Sequence, residues 1–116
     1  MLWHKLTDIS QLQDIINLSK EQSTNGLPVL IFKHSTRCSI SSMALNRLET
    51  KWIDNENIQT YYLDLLNHRD ISNEIANLFS VEQASPQILL IKNGVCIYNA
   101  SHTDISAADI LTAAKI

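Results

Sequence analysis

The sequence predicts an α/β fold with a mixed central sheet flanked by helices, and three observations carry that prediction. Pro28-Val29-Leu30-Ile31-Phe32-Lys33-His34 is a continuous apolar run with a proline at its edge, the pattern of a strand covered on both faces. Such a strand needs helices above and below it, and segments with apolar residues at helical spacing lie on either side of it in the chain. Two later strand-like runs are joined by Asn93-Gly94 alone, the strongest short-range signal for an antiparallel hairpin.

In chain order, Leu2-Trp3-His4-Lys5-Leu6 is a short apolar and aromatic run read as a first strand. Thr7 or Asp8 caps a helix from about Ile9 to Lys20, with Ile9, Leu12, Ile15, Ile16 and Leu18 at helical spacing. Gln22-Ser23-Thr24-Asn25-Gly26 is a polar break that ends it. After the Pro28–His34 strand, a second helix runs from Ser39 to about Asp54. Its stripe is Ile40, Met43, Ala44, Leu48 and Trp52, with Arg47 and Lys51 opposite.

Beyond Asn55-Glu56-Asn57, Ile58–Leu65 is rich in aromatic and branched residues and reads as a strand. A shorter helix follows, from Asp70 or Ile71 to Phe79, with Ile71, Ile75, Leu78 and Phe79 as its apolar face. Ser85–Lys92 is a strand entered through Pro86, and Val95–Ala100 is its hairpin partner. A closing helix extends to Ala114, capped by Thr103 or Asp104 and lined by Ile105, Ala108, Ile110 and Leu111. The order β-α-β-α-β-α-β-β-α, in one domain spanning residues 1–116, matches the thioredoxin layout.

Composition narrows the function classes. A net charge of −3 gives no electrostatic footprint for nucleic acid or an anionic membrane. No stretch approaches the roughly 20 apolar residues of a membrane span, and the first eight residues lack the layout of a signal peptide, so a cytoplasmic location is expected. Two cysteines, Cys38 and Cys96, are too few for a disulfide scaffold or a four-ligand zinc site, and His4, His68 and His102 have no metal-site spacing.

The chemistry centres on Cys38, at the seam between the apolar strand and the second helix. A helix start offers unpaired backbone N–H groups and the positive end of the macrodipole, which favour a thiolate. Ser41 follows at the spacing where a dithiol enzyme has its second cysteine. Its hydroxyl cannot form a disulfide, but it can donate a hydrogen bond to the Cys38 sulfur. Arg37, in the turn, is placed to contact an anionic small thiol. Strand alternation sends Lys33 and His34 to opposite faces, so only one of them can assist the sulfur. Ser85-Pro86 fits a cis peptide at a strand entry, leaving the Ser85 backbone free to pair with an extended substrate. Cys96, between Val95 and Ile97, reads as a core residue.

Phe32 to Ala44, together with Ser85-Pro86-Gln87, resembles the monothiol bacilliredoxin family, the bacillithiol-system redox-active proteins. The resemblance covers essentially the whole chain, including Trp3 and the Asn93-Gly94 hairpin. The family has a thioredoxin-like fold and a Thr-x-Cys-Pro-Ile-Ser pattern; Thr36, Cys38, Ile40 and Ser41 match it, and Ser85-Pro86-Gln87 resembles its substrate-side loop. Ser39 stands where the family has proline, restoring an N–H and adding a hydroxyl near the sulfur.

The resemblance implies thiol–disulfide exchange on S-thiolated client proteins, with Cys38 attacking; with the residue reading, the candidate site is Cys38 and Ser41 for catalysis and Thr36, Arg37, Ser39, Ser85 and Pro86 for substrate contact. It implies no bound cofactor; bacillithiol, or another low-molecular-weight thiol such as glutathione or coenzyme A, would be the co-substrate. Two other functions use the same residues. One is a non-catalytic thioredoxin-like binding module. The other is a redox sensor in which Cys38 is oxidised or paired with Cys96.

Overall fold

All six residues of the strand Val29–His34 are buried, including its two polar members, as expected of the central strand of a sheet covered on both faces. The computed structural model describes residues 1–20, 27–52 and 58–115. Its elements are β1 (Trp3–Leu6), α1 (Ser10–Lys20), β2 (Val29–His34), α2 (Ser39–Lys51), β3 (Gln59–Asp64), α3 (Arg69–Phe79), β4 (Gln87–Lys92), β5 (Val95–Ser101) and α4 (Ala107–Ala114), with a 3-10 turn at His102–Asp104. This is the element order expected from the sequence. The polar breaks at residues 22–26 and 55–57, and the expected end of the second helix near Asp54, lie outside the described residues.

The five strands form one sheet in the order β1-β3-β2-β4-β5. β1 and β2 run parallel to β3, β4 is antiparallel to β2, and β5 is antiparallel to β4. Alternation along β2 sends Val29 and Ile31 into a core with Leu12 and Ile15 of α1 and Ile71 and Ile75 of α3. Leu30 and Phe32 point the other way, to Ala44 and Leu48 of α2 and Ile110 of α4. β4 repeats the division, with Leu89 and Ile91 on the first side and Ile88 and Leu90 on the second.

Local chemistry sets the element ends. Asp8 Oδ1 accepts from Ser10 N at 2.8 Å, while Gln11 Oε1 accepts from Thr7 N at 2.7 Å and Asp8 N at 2.9 Å, a reciprocal cap that selects Asp8 over Thr7. Asn93 and Gly94 have φ of 55° and 77°, the left-handed pair that a two-residue hairpin requires. Buried Ser19 docks this turn onto α1: its carbonyl accepts from Asn93 N at 3.0 Å and its Oγ from Gly94 N at 2.9 Å.

Several expected details shift by a residue or two. Ser106, not Thr103 or Asp104, caps α4, accepting from Asp109 N at 3.4 Å, because the 3-10 turn takes up the preceding residues. Ala107 rather than Ala108 is then the buried small residue of that helix. In α2 the buried face is Ser41, Ala44 and Leu48, whereas Ile40 and Met43 are 50% and 66% exposed. Small side chains at 41 and 44 let the helix approach the sheet closely, which narrows the buried stripe. Ile9 and Leu78 are likewise exposed at the margins of their stripes. Arg47, opposite the apolar stripe of α2, donates to the Ile105 carbonyl from Nε at 3.3 Å and Nη2 at 3.1 Å, and to the His102 carbonyl at 3.4 Å. It thereby ties α2 to the approach of α4.

Candidate active site

The parallel strands β1, β3 and β2 end at one edge of the sheet, and the chain leaves β2 there through Ser35-Thr36-Arg37. A turn bond from Cys38 N to the Ser35 carbonyl, 3.1 Å, brings the cysteine to the N-cap of α2. Cys38 has the extended conformation of an N-cap, φ −104° and ψ 119°, and its carbonyl accepts the first helical bond, from Ser42 N at 3.1 Å. Its side chain makes no capping bond, so the thiol stands beside first-turn N–H groups that have no acceptor within the helix. Cys38 is free and half-buried, and exposed Thr36, Arg37, Ser39 and Ile40 surround it in the chain.

β4 runs antiparallel to β2 with Gln87 opposite Lys33, so Pro86 enters the sheet at the register position of His34, on the same edge as Cys38. The Ser85-Pro86 peptide is cis, as the sequence suggested. Pro86 is buried, and its carbonyl accepts from His102 N at 3.0 Å. Ser85 Oγ is buried without a hydrogen-bond partner.

Ser41 is fully buried, and its hydroxyl is engaged differently from the expectation. Its Oγ is 2.7 Å from His34 Nδ1 and accepts from Ser35 N at 3.0 Å. Among the described residues, no hydrogen bond joins it to the Cys38 sulfur; the imidazole one strand residue from the turn takes its place. Burial pushes the His34 imidazole below its ordinary value, while Asp64, its register partner on β3, and Glu49 of α2 pull it upward. The ring also lies 5.9 Å from Phe32 and 5.6 Å from Tyr62, centre to centre. Asp64 Oδ2 accepts from Asn67 at 2.8 Å, and its Oδ1 is buried without a partner.

Lys33 faces the other side of the sheet, as alternation required, and is fully buried. Its Nζ donates to the Ser72 carbonyl of α3 at 3.2 Å, and burial pushes the amine down to about 8. It supports the scaffold and makes no contact with the Cys38 side. The sequence signal for both residues is a Lys-His pair closing an otherwise apolar, two-sided strand: polar groups in that position must find partners.

Cys96 is half-buried, its Sγ 3.3 Å from the Tyr98 carbonyl, and burial pushes its thiol up. It packs on the α1/α3 side of the sheet, opposite the α2 side. Cys96 pairs with Ile91, and Ile91 with Val29 at the start of β2; Cys38 lies past the end of β2. Five strand steps alone span about 16 Å, well beyond the roughly 4.4–6.8 Å between Cα atoms of a disulfide. Among the described residues, no group of three or more His, Cys, Asp or Glu side chains is placed to hold a metal ion. No helix among them is long and apolar enough to cross a membrane.

Comparison with known proteins bears on this arrangement. A solved protein described as having a thioredoxin fold is 30% identical, with a TM-score of 0.76 over 97% of this chain and 92% of its own. The thioredoxins of Malassezia sympodialis and Fasciola hepatica, at 16% and 14% identity, each align with a TM-score of 0.71. They cover 98% and 97% of this chain and 89% and 96% of their own, and establish the fold alone. The model of the monothiol bacilliredoxin BrxC family matches residues 4–110, from β1 into α4. The chain therefore belongs to the monothiol bacilliredoxin family and has its thioredoxin-like fold.

Proposed function

We propose that the protein removes a low-molecular-weight thiol from protein mixed disulfides, with Cys38 as the nucleophile and bacillithiol as the preferred thiol. The observation that carries this reading is a single thiol at the N-cap of α2, on the same sheet edge as Pro86, with a serine three residues on and the other cysteine across the sheet. The Cys38 thiolate attacks the small-thiol sulfur of a client mixed disulfide; a new disulfide forms between Cys38 and that sulfur, and the client leaves as a thiolate. With no thiol nearby to resolve it, the Cys38 adduct needs a second small-thiol thiolate from solution. That thiolate takes up the sulfur as a symmetrical disulfide and restores the Cys38 thiolate.

The surroundings support binding of both partners. Exposed Ile40 and Met43 form an apolar rim along the first turns of α2, suited to the body of a client chain, and Ser85-Pro86 borders the other side. Exposed Arg37 and Ser39 flank Cys38 in the chain and bring a cation and a hydroxyl, suited to the polar, anionic part of a small thiol. The same reading places the protein in the cytoplasm with S-thiolated clients. A sensor built on a Cys38–Cys96 disulfide is disfavoured by the separation of the two cysteines.

The test compares one client protein carrying bacillithiol, glutathione or coenzyme A as its mixed disulfide. The reduced protein should strip all three and act on the bacillithiol adduct at least tenfold faster. Equal rates would remove the preference for bacillithiol, and no stripping of any adduct would remove the reaction.

A further inference from the structure

Ser41 has one proton to donate and two lone pairs to accept with, and none of its surface is exposed. One lone pair is filled by Ser35 N–H at 3.0 Å, and the 2.7 Å contact with His34 Nδ1 leaves two arrangements. If Nδ1 carries no proton, Ser41 donates its only proton to the ring and has nothing for another acceptor. If Nδ1 carries a proton, the ring donates to Oγ, both lone pairs are filled, and the hydroxyl proton must turn elsewhere. Cys38 is the N-cap of the same helix and Ser41 its N3 residue, and an N-cap side chain lies over the N3 position.

We propose that His34 is a positioning residue for Cys38 that acts through Ser41: unprotonated Nδ1 holds the Ser41 proton away from the sulfur, and Nδ1–H releases it to the thiolate. This rests on Cys38 being the reactive thiol and adds the control of its hydrogen bond. The groups facing His34 are Ser41 and Glu49 from α2, Tyr62 and Asp64 from β3, and Phe32 on its own strand, with Pro86, just before β4, at its register position. His68 shares a cleft with Tyr62, Asp64 and Glu49. Burial outweighs the pull of the two carboxylates and favours a neutral ring, and in a neutral ring the tautomer is the variable that a charge on Cys38 can set. The coupling is reciprocal: a thiolate at Cys38 favours Nδ1–H, and Nδ1–H favours the thiolate. Once Cys38 is in a disulfide its charge is gone, and the hydroxyl returns to the unprotonated nitrogen.

Nitrogen-15 NMR distinguishes protonated from unprotonated ring nitrogens, and the full chain can be measured reduced and after alkylation of Cys38 with iodoacetamide. In the reduced protein, His34 Nδ1 should pass from mostly unprotonated to mostly protonated over the pH range in which thiolate absorbance at Cys38 appears. In the alkylated protein it should stay unprotonated throughout that range, and in reduced Ser41→Ala the change should be lost. An unprotonated Nδ1 in the thiolate form of the wild type would overturn the proposal. So would a full change in Ser41→Ala, which would make the coupling a through-space charge effect. These spectra report a proton position and no turnover, so they fail independently of the stripping assay.

Discussion

At the residue scale, the surroundings of Cys38, the proposed nucleophile, differ from the family pattern by one neighbour, Ser39. The first helical position tolerates proline because its N–H has no intrahelical acceptor, and in α2 that same N–H stands beside the Cys38 sulfur. Ser39→Pro should leave the fold intact and slow alkylation of Cys38 at neutral pH several-fold, by removing an N–H and a hydroxyl; an unchanged rate would show that neither stabilises the thiolate. Lys33 makes a second residue-level prediction. Its amine sits at about 8 in the fold against 10.5 unfolded, so between those values the native state holds fewer protons and stability rises with pH. Relative to Lys33→Met, the wild type should gain about 1–2 kcal/mol of unfolding free energy between pH 7 and pH 9.5 in denaturant titrations. The sequence made Cys38 legible because the thiol sits at a strand-to-helix seam. The engagement of Ser41 was not legible, since whether a hydroxyl faces a sulfur or an imidazole depends on how α2 rolls against β2.

At the element scale, what was legible followed from periodicity, and what was missed followed from packing angle. β2 and β4 announce themselves as unbroken apolar runs, and the Asn93-Gly94 turn adopts the left-handed pair its residues favour. The roll of a helix is subtler: Ile40 and Met43 share a helical spacing with Ala44 and Leu48, yet the sheet touches the face carrying Ser41. Only the tertiary contact decides which neighbouring stripe is buried. Arg47 illustrates the same point, since a long side chain can stay on the polar side of α2 and still reach the Ile105 and His102 carbonyls. Arg47→Ala should lower the unfolding free energy by about 1–2 kcal/mol, measured by chemical denaturation, because the buried Ile105 carbonyl loses a charged donor.

At the scale of the whole molecule, the sheet divides the chemistry. One face and one edge carry Cys38, Ser41, His34 and the cis Pro86 entry; the other face carries Cys96 and the Lys33–Ser72 contact, and the strand register keeps the two thiols apart. That division leaves Cys38 without a second cysteine in disulfide range, in line with Ser41 at the second-cysteine position, and the proposed adduct on Cys38 would then be resolved by a thiol from outside. Intact-mass measurement and peptide mapping, after the reduced protein meets a client carrying a bacillithiol mixed disulfide, read out this single-thiol chemistry. One bacillithiol adduct is expected, mapped to Cys38, retained in Cys96→Ser and absent in Cys38→Ser. An adduct on Cys38→Ser, or a Cys38–Cys96 disulfide in the wild type, would contradict it.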